Sequence, residues 1–232
     1  MSDQEFNMKK VAVLQSNYLP WKGYFRIIRD SDLFIFYDDV KFTKNDWRNR
    51  NQVLINKRKV WLSIPVGSHH NRLINQVELP KSDWQQQHLR QLYAGYRDTP
   101  NFLKVYDFIE KIYFSKDFRS LSELNKTFIK AICKEWLSIN TLFKDSTDYE
   151  LSLRKSDRVL ELCTQCHAKA YISGPAAKSY LDLESFAKKG IEINWVDYSR
   201  FQKYDQNSEK FDDHVSIVDT LFHVGKEAGR YI

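Results

Sequence analysis

The sequence is poor in the residues that interrupt or cross-link a chain. Its 232 residues include only 7 glycines, 5 prolines and 3 cysteines. So little glycine and proline excludes long flexible linkers and low-complexity segments. An odd number of cysteines gives no disulfide framework and is typical of a reducing compartment. No apolar run reaches membrane-spanning length, and the polar, acidic start of the chain is unlike a secretory signal. These absences predict a cytoplasmic protein without membrane insertion.

Apolar and aromatic residues are plentiful. Hydrophobic residues make up 42% and aromatic residues 15% of the chain, enough to bury a large core. The pattern predicts a single α/β domain over residues 8–232, with a helical insertion at 81–137. The net charge of +6 favours anionic partners, but basic residues are dispersed and no nucleic-acid-binding signature is present. We therefore expect no nucleic acid partner, and the oligomeric state stays open.

Hydrophobic periodicity predicts a mostly parallel, Rossmann-like sheet flanked by helices, with a β-hairpin and a helical middle section. Strands are predicted at 10–14, with the apolar run 11–14, and at 33–37, whose continuous apolar run is typical of a strand buried on both faces; a helix at 21–29 between them makes a right-handed βαβ unit. Further strands are predicted at 52–55, 60–66, 74–79, 170–172 and 191–196. Further helices are predicted as three within 81–137, one from 156, one at 180–189 that ends at Gly190, and one at 216–224.

Two polar clusters directly follow the first two predicted strands. Ligands bind beside the carboxyl ends of strands in open α/β sheets, so both clusters are candidate site segments. The first offers uncharged hydrogen-bonding groups, and the second mixes carboxylates, cations and amides. The candidate residues are Gln15, Asn17 and Tyr18 in the first cluster, and Asp39, Lys44, Trp47, Arg48, Asn49, Arg50 and Asn51 in the second. The alternative is a structured turn and a solvated loop with internal ion pairs.

Other motifs carry weaker signals. The small residues Ser173 and Gly174 follow a short strand, where backbone N–H groups can bind a phosphate or an oxyanion. His69 lies in a loop near the hairpin and can act as a base, while Tyr204 and Gln206 can approach the same crevice. Cys163 lies in a Cys-x-x-Cys-His sequence, but without export or a second Cys-x-x-Cys we interpret it as a buried structural thiol. We predict no metal site.

Taken together, these segments resemble the WbqC-like family of bacterial surface-polysaccharide proteins. The resemblance runs from about residue 9 to residue 225. Its most specific parts are residues 15–25 (QSNYLPWKGYF), 38–42 (DDVKF) and 47–51 (WRNRN). It continues through residues 155–158 (KSDR), 171–174 (YISG), 180–181 (YL), 204–206 (YDQ) and 216–219 (SIVD).

The resemblance implies N-acyl transfer, including aminoacyl transfer of glycine, onto the amine of a nucleotide-linked deoxy-amino-sugar in O-antigen (lipopolysaccharide) biosynthesis. The activated donor is expected to be a carrier-protein thioester or acyl-CoA, with an acyl carrier protein as partner and no permanently bound cofactor. We assign the base to Asp39 or a loop histidine, and oxyanion or substrate contacts to Asn49 and Asn51. Three cations are expected to bind the diphosphate (Lys44, Arg48, Arg50), and three residues to hold the base or sugar (Gln15, Asn17, Tyr18).

Two other functions compete with acyl transfer. A binding or scaffold protein would hold a nucleotide sugar without turnover. A nucleotidyltransferase would share the strand, Pro-containing loop and helix at the start of the chain. The histidine pair with which that superfamily stabilises phosphoryl transfer is absent there, where Trp21 and Tyr24 stand instead.

Overall fold

A computed structural model describes residues 10–67 and 71–232. The acidic start of the chain and His69 lie outside the described residues. The chain forms two compact units. The sheet unit comprises residues 10–15, Arg26–Asp39 and Ile139–Arg200, and the hairpin unit comprises Ser16–Phe25, Val40–Ser138 and Phe201–Ile232. Of the helices in the described part, none combines the length and apolar content needed to cross a membrane. The single-domain assignment stays a prediction.

The sheet unit is built on five parallel strands. They are β1 (Lys10–Leu14), β2 (Leu33–Phe36), β5 (Leu142–Asp145), β6 (Ala170–Ser173) and β7 (Glu192–Trp195), in the spatial order β5-β2-β1-β6-β7. Counted along the chain this order is 3-2-1-4-5, the order of a Rossmann sheet, and it reverses between β1 and β6. The predicted parallel sheet is confirmed.

Burial explains why these strands read as apolar runs. Every residue of β2 and β6 is buried. One face of the sheet packs against α5 (Lys155–Gln165) and α6 (Leu183–Lys188), with Val11, Ile35, Leu162 and Phe186 in the shared core. Cys163 belongs to this core and is fully buried, and burial raises the pKa of its thiol, as expected of a structural residue.

The hairpin unit carries the antiparallel pair β3 (Arg50–Ile55) and β4 (Arg58–Ser63). Asn56 and Lys57 form its two-residue turn with φ of 49° and 62°, the left-handed backbone of a type I′ hairpin. Helices complete the unit: α2 (Trp84–Tyr96), α3 (Phe102–Phe114), α4 (Leu121–Glu135) and α7 (Ile217–Val224). Helix α1 (Lys22–Arg29) contributes residues to both units. The predicted hairpin and three middle helices are confirmed.

One predicted element is wrong, one has a wrong start, and one strand was not predicted. The predicted strand at 74–79 is a 3₁₀ turn over Ile74–Gln76, in which Ile74 and Val77 are buried at the three-residue spacing of a helical turn. Helix α6 begins at Leu183, after a separate 3₁₀ helix at Pro175–Ser179, because the Asp182 side chain caps it by accepting from the N–H of Ser185. Strand β5 was missed because it is a short edge strand with polar residues.

Candidate functional site

A pocket of about 270 Å³ opens within the hairpin unit. Its lining residues are Asn17, Trp21, Trp47, Asn51 and His214. Asn17 and Trp21 come from the loop after β1, Trp47 from the segment before β3, Asn51 from β3 itself, and His214 from the chain just before α7. The imidazole of His214 lies 5.5 Å from the Trp21 ring, measured between ring centroids. Two indoles, two amides and an imidazole thus surround one small cavity.

The loop at the pocket has a strained backbone at a bulky residue. Leu19 is fully buried and has a φ of 41°, in the left-handed region that leucine rarely adopts. Its carbonyl accepts from Asn51 Nδ2 at 2.8 Å and from the Ser216 hydroxyl at 2.7 Å. Strain of this kind costs about 1–3 kcal/mol and persists where the surroundings enforce it. Asn51 therefore acts here as a brace of the loop, while its predicted catalytic role stays a prediction.

Beneath the loop, the Tyr18 side chain is buried in a hydrogen-bonded triad. Its hydroxyl lies 2.8 Å from Nδ1 of His88 and forms a short hydrogen bond with the Tyr113 hydroxyl. Nε2 of His88 lies 3.2 Å from the carbonyl oxygen of Ser63, so it donates there, and Nδ1 is the acceptor for Tyr18. Tyr18 is fully buried, so its hydroxyl supports the loop from inside the protein.

His88 should make stability depend on pH. Burial lowers its pKa from 6.5 to about 4. Below pH 6.5 the unfolded chain therefore binds a proton that the folded protein does not, and stability falls as the pH drops toward 4. We expect a loss of about 2 kcal/mol between pH 6.5 and 5 from this group.

The measurement is urea denaturation at several pH values, for the natural protein and for His88→Gln. Glutamine can accept from Tyr18 and donate to Ser63 but does not titrate. The difference in unfolding free energy between the two proteins should narrow as the pH falls from 6.5 to 5. A difference that stays constant over this range would exclude the assigned protonation state.

The residues of the second polar cluster make different kinds of contact. Arg48 donates to Asn17 Oδ1 at 3.0 Å and thereby fixes the amide of a pocket residue. Asn49 is buried and donates to the carbonyl oxygen of Ile64 at 3.0 Å. The Arg50 guanidinium lies 4.1 Å from the centroid of the Trp61 ring, and Lys44 is exposed. Of these four residues, only Arg48 is seen here to contact a residue that lines the pocket, and the assigned substrate contacts of all four stay predictions.

Tyr204 and Gln206 converge on a buried carboxylate. Asp219 is fully buried on the first turn of α7. Its oxygens accept from the Tyr204 hydroxyl at 2.6 Å, from Gln206 Nε2 at 2.9 Å and from the Tyr96 hydroxyl at 2.8 Å. Burial, and next the Asp219 carboxylate, raises the pKa of Tyr204, so its hydroxyl stays protonated and donates. These contacts anchor the chain that leads to His214.

Two ion pairs hold the segment beside His214. Lys22 Nζ lies 2.6 Å from Asp213, and Lys59 Nζ lies 2.6 Å from Asp212. The Lys22 side chain is only 3% exposed and lies between the rings of Phe201 and Phe211, each 4.9 Å from Nζ. Because Lys22 directly follows Trp21, this pairing places His214 against the pocket.

Asp39 lies in the sheet unit, just beyond β2. One of its oxygens accepts from the Ser146 hydroxyl and the other pairs with the Arg158 guanidinium. Burial alone would lower the pKa of Arg158, but its hydrogen bond to Asp39 raises it overall. Both carboxylate oxygens are therefore engaged within the sheet unit. Its catalytic role stays a prediction.

Gln15, Ser173 and Gly174 also belong to the sheet unit, at the ends of β1 and β6. The strand order reverses between these two strands, which is where Rossmann sheets bind ligands. Ser173 is buried, and a Cβ added at Gly174 would lie 2.8 Å from the Tyr198 hydroxyl. Gly174 thus lets the Tyr198 hydroxyl lie close to the backbone, and its phosphate contact stays a prediction.

Neither Trp21 nor His214 was assigned to the site from the sequence. One signal for Trp21 was present: it is followed two residues later by a glycine inside a helix, and a Cβ at Gly23 would lie 2.2 Å from the Trp21 ring. His214 had no local signal, because its place in the pocket depends on ion pairs with residues far away in the chain.

Comparison with known proteins connects these features to a family. The sequence profile of the WbqC-like protein family matches residues 15–231. The chain is 41% identical over 228 residues to the uncharacterized protein Rv1507c of Mycobacterium tuberculosis, an alignment that covers 97% of this chain and 98% of the relative. No solved structure matches the chain. A match over nearly the whole sequence, including both polar clusters and the segments around Tyr204 and Asp219, shows that the chain belongs to the WbqC-like protein family.

Proposed function

We propose that this protein is an N-acyltransferase that acylates the amine of a nucleotide-linked deoxy-amino-sugar in the assembly of a bacterial surface polysaccharide such as O-antigen. One observation carries the proposal: Asn17, Trp47 and Asn51, distant in the sequence, share a pocket with Trp21 and His214. The pocket combines groups for holding a sugar ring with a group that can accept a proton.

The pocket suits a single ring with hydroxyl groups. Its volume of about 270 Å³ lies just below the usual range for small-molecule sites, roughly 300–1,000 Å³. The indoles of Trp21 and Trp47 offer flat apolar surfaces to the C–H faces of a sugar. The Asn17 amide, oriented by Arg48, offers hydrogen bonds without charge. A hexosamine ring meets these conditions better than a long apolar ligand does.

Acyl transfer requires a neutral amine and a proton acceptor beside it. The sugar amine attacks the carbonyl carbon of an acyl or glycyl thioester, so a C–N bond forms and the C–S bond breaks. The imidazole of His214 accepts the amine proton and returns it to the leaving thiolate, which departs as a thiol. His214 thereby takes the role that the sequence assigned to Asp39 or to a loop histidine. The thioester is carried by coenzyme A or by an acyl carrier protein.

The test is product formation by the full chain. The protein is incubated with UDP- or dTDP-linked amino sugars together with acyl-CoA or acyl carrier protein donors, and the sugar is analysed by mass spectrometry. We expect a mass increase equal to one acyl or glycyl group and release of one thiol per product. If the protein binds these sugars tightly but no donor yields product, it is a binding protein and the acyltransferase proposal fails.

Gly23→Ala should weaken sugar binding through Trp21. Alanine normally favours a helix over glycine by about 1 kcal/mol, but here the added Cβ would lie 2.2 Å from the Trp21 ring. The indole must leave its present position in the pocket, and we expect about tenfold weaker binding of the nucleotide amino sugar, equivalent to about 1.4 kcal/mol.

Isothermal titration of Gly23→Ala, Trp21→Ala and the double variant measures this effect. Because both single changes act on the same indole, the double variant should bind about as weakly as Trp21→Ala alone. Additive losses would show that Gly23 acts by another route, and unchanged binding in Trp21→Ala would remove Trp21 from the site.

A further inference from the structure

We infer that the exposed surface formed by Trp47, Trp61 and Arg50, here called the tryptophan platform, binds the nucleobase of the nucleotide-linked substrate. The inference rests on the proposed function and assigns the two ends of its substrate: the sugar ring to the pocket and the base to the platform.

The platform consists of two exposed indoles and a guanidinium. Trp47 is 43% and Trp61 is 37% exposed, although large aromatic side chains are usually buried. Their ring centroids are 5.6 Å apart with an interplanar angle of 37°. The Arg50 guanidinium lies 4.1 Å from the centroid of the Trp61 ring and supports it through a cation–π contact. Trp61 is therefore held in place while much of its surface remains open.

The hairpin fold explains why these side chains face outward together. In the β3–β4 register Arg50 pairs with Ser63 and Gln52 with Trp61, so these four side chains share one face. The other face carries Asn51, Val53 and Leu62, which are buried. Trp61 lies on the outward face and is exposed, so burial in the core does not explain a tryptophan at this position.

The net charge of the hairpin segment indicates the class of ligand that the platform binds. Residues 44–63 contain six basic residues and one acidic residue, a net charge of +5 out of the +6 of the whole chain. Lys59 is paired with Asp212 and Arg48 lies 3.6 Å from Asp46, and the remaining cations include Lys44 and Arg50. Flat stacking surfaces within a cationic segment match a ligand that carries both a planar ring and phosphate charge.

Trp47 links the platform to the pocket. It lines the pocket and also lies beside Trp61, so one indole borders both places. A ligand that fills both needs two ring systems joined by an anionic linker. A nucleoside diphosphate sugar has this composition, whereas a free sugar or acyl-CoA bound through its acyl end would leave the platform empty.

The experiment is isothermal titration of the full chain with UDP, dTDP, GDP and CDP, and with inorganic pyrophosphate as the probe that lacks a base. The variants are Trp61→Ala and Trp61→Phe, with Tyr180→Ala as the control, because Tyr180 is an exposed aromatic residue of the sheet unit. We expect at least one nucleoside diphosphate to bind. Trp61→Ala should weaken this binding about tenfold, while Trp61→Phe and Tyr180→Ala should stay within threefold of the natural protein.

Pyrophosphate carries charge but no base, so its affinity should not change in Trp61→Ala. It therefore distinguishes a loss of base stacking from a loss of charge attraction. The inference is overturned if no nucleoside diphosphate binds, if Trp61→Ala binds them as the natural protein does, or if it loses pyrophosphate affinity equally. Product formation is scored separately. If Trp61→Ala acylates the sugar with an unchanged KM, the tryptophan platform does not bind the base, although the protein is an acyltransferase. If nucleotide binding depends on Trp61 but no sugar is acylated, the platform is supported and the acyltransferase proposal fails.

Discussion

Asp219→Ala should lower the free energy of unfolding by about 4 kcal/mol, a large fraction of the stability of a typical protein. The carboxylate is fully buried and accepts from Tyr96, Tyr204 and Gln206. Alanine leaves these three donors, two of them fully inside the protein and Tyr204 partly so, without this acceptor, and each unmade hydrogen bond costs about 1–3 kcal/mol. The carboxylate also lies on the first turn of α7, where negative charge is favourable.

Urea denaturation at neutral pH measures this loss. Asp98→Ala is the matched control, since the Asp98 side chain is 91% exposed and its removal should change stability by less than about 0.5 kcal/mol. Tyr204→Phe removes one of the three donors and should cost about 1 kcal/mol, which keeps the network testable if Asp219→Ala does not fold. Equal stability of Asp219→Ala and Asp98→Ala would show that the network contributes nothing.

His214→Asn should reduce turnover at least 100-fold while sugar binding stays within a few fold. General base catalysis contributes about 10²–10⁴ in rate, and the imidazole is one of several groups around the pocket. Asparagine keeps polarity near the indole of Trp21 but cannot accept a proton from the amine. The loss should therefore appear in kcat and leave KM nearly unchanged.

Steady-state kinetics with the productive donor and sugar provide this measurement. His167→Asn is the control of matching chemistry, because His167 is exposed in the sheet unit and asparagine tolerates its left-handed backbone, with φ of 53°. If His214→Asn turns over at the natural rate, another group is the base. If it loses only affinity, His214 holds the sugar and takes no part in proton transfer.

The elements that were predicted correctly are those whose signal is local. Strands β1 and β2 appear as continuous apolar runs because both of their faces are buried. The β3–β4 hairpin appears as two runs around a polar turn, and α2 to α4 as apolar residues at helical spacing. The edge strand β5 lacks such a run. The turn at Ile74–Gln76 was mistaken for a strand because a single three-residue spacing of buried residues does not distinguish a helical turn from a strand.

The residues of the candidate site were likewise predicted only where the signal is local. Asn17, Trp47 and Asn51 were found because they follow strands or belong to motifs that resemble a family, and all of them line the pocket. The sequence could not distinguish a ligand contact from a structural hydrogen bond. Tyr18, Asn49, Tyr204 and Gln206 have the same chemistry as binding residues, yet their side chains bond to buried partners.

The sequence by itself determined the family, the parallel sheet, the hairpin and the segments that carry the polar chemistry, because each depends on neighbouring residues and on side-chain periodicity. Only the tertiary structure decided which polar groups face open space. That choice depends on pairings such as Lys22 with Asp213 and Asn51 with Leu19, between residues separated by tens to hundreds of positions. Such pairings leave no periodic trace in the chain, so His214 and Trp21 entered the site only when the chain was folded.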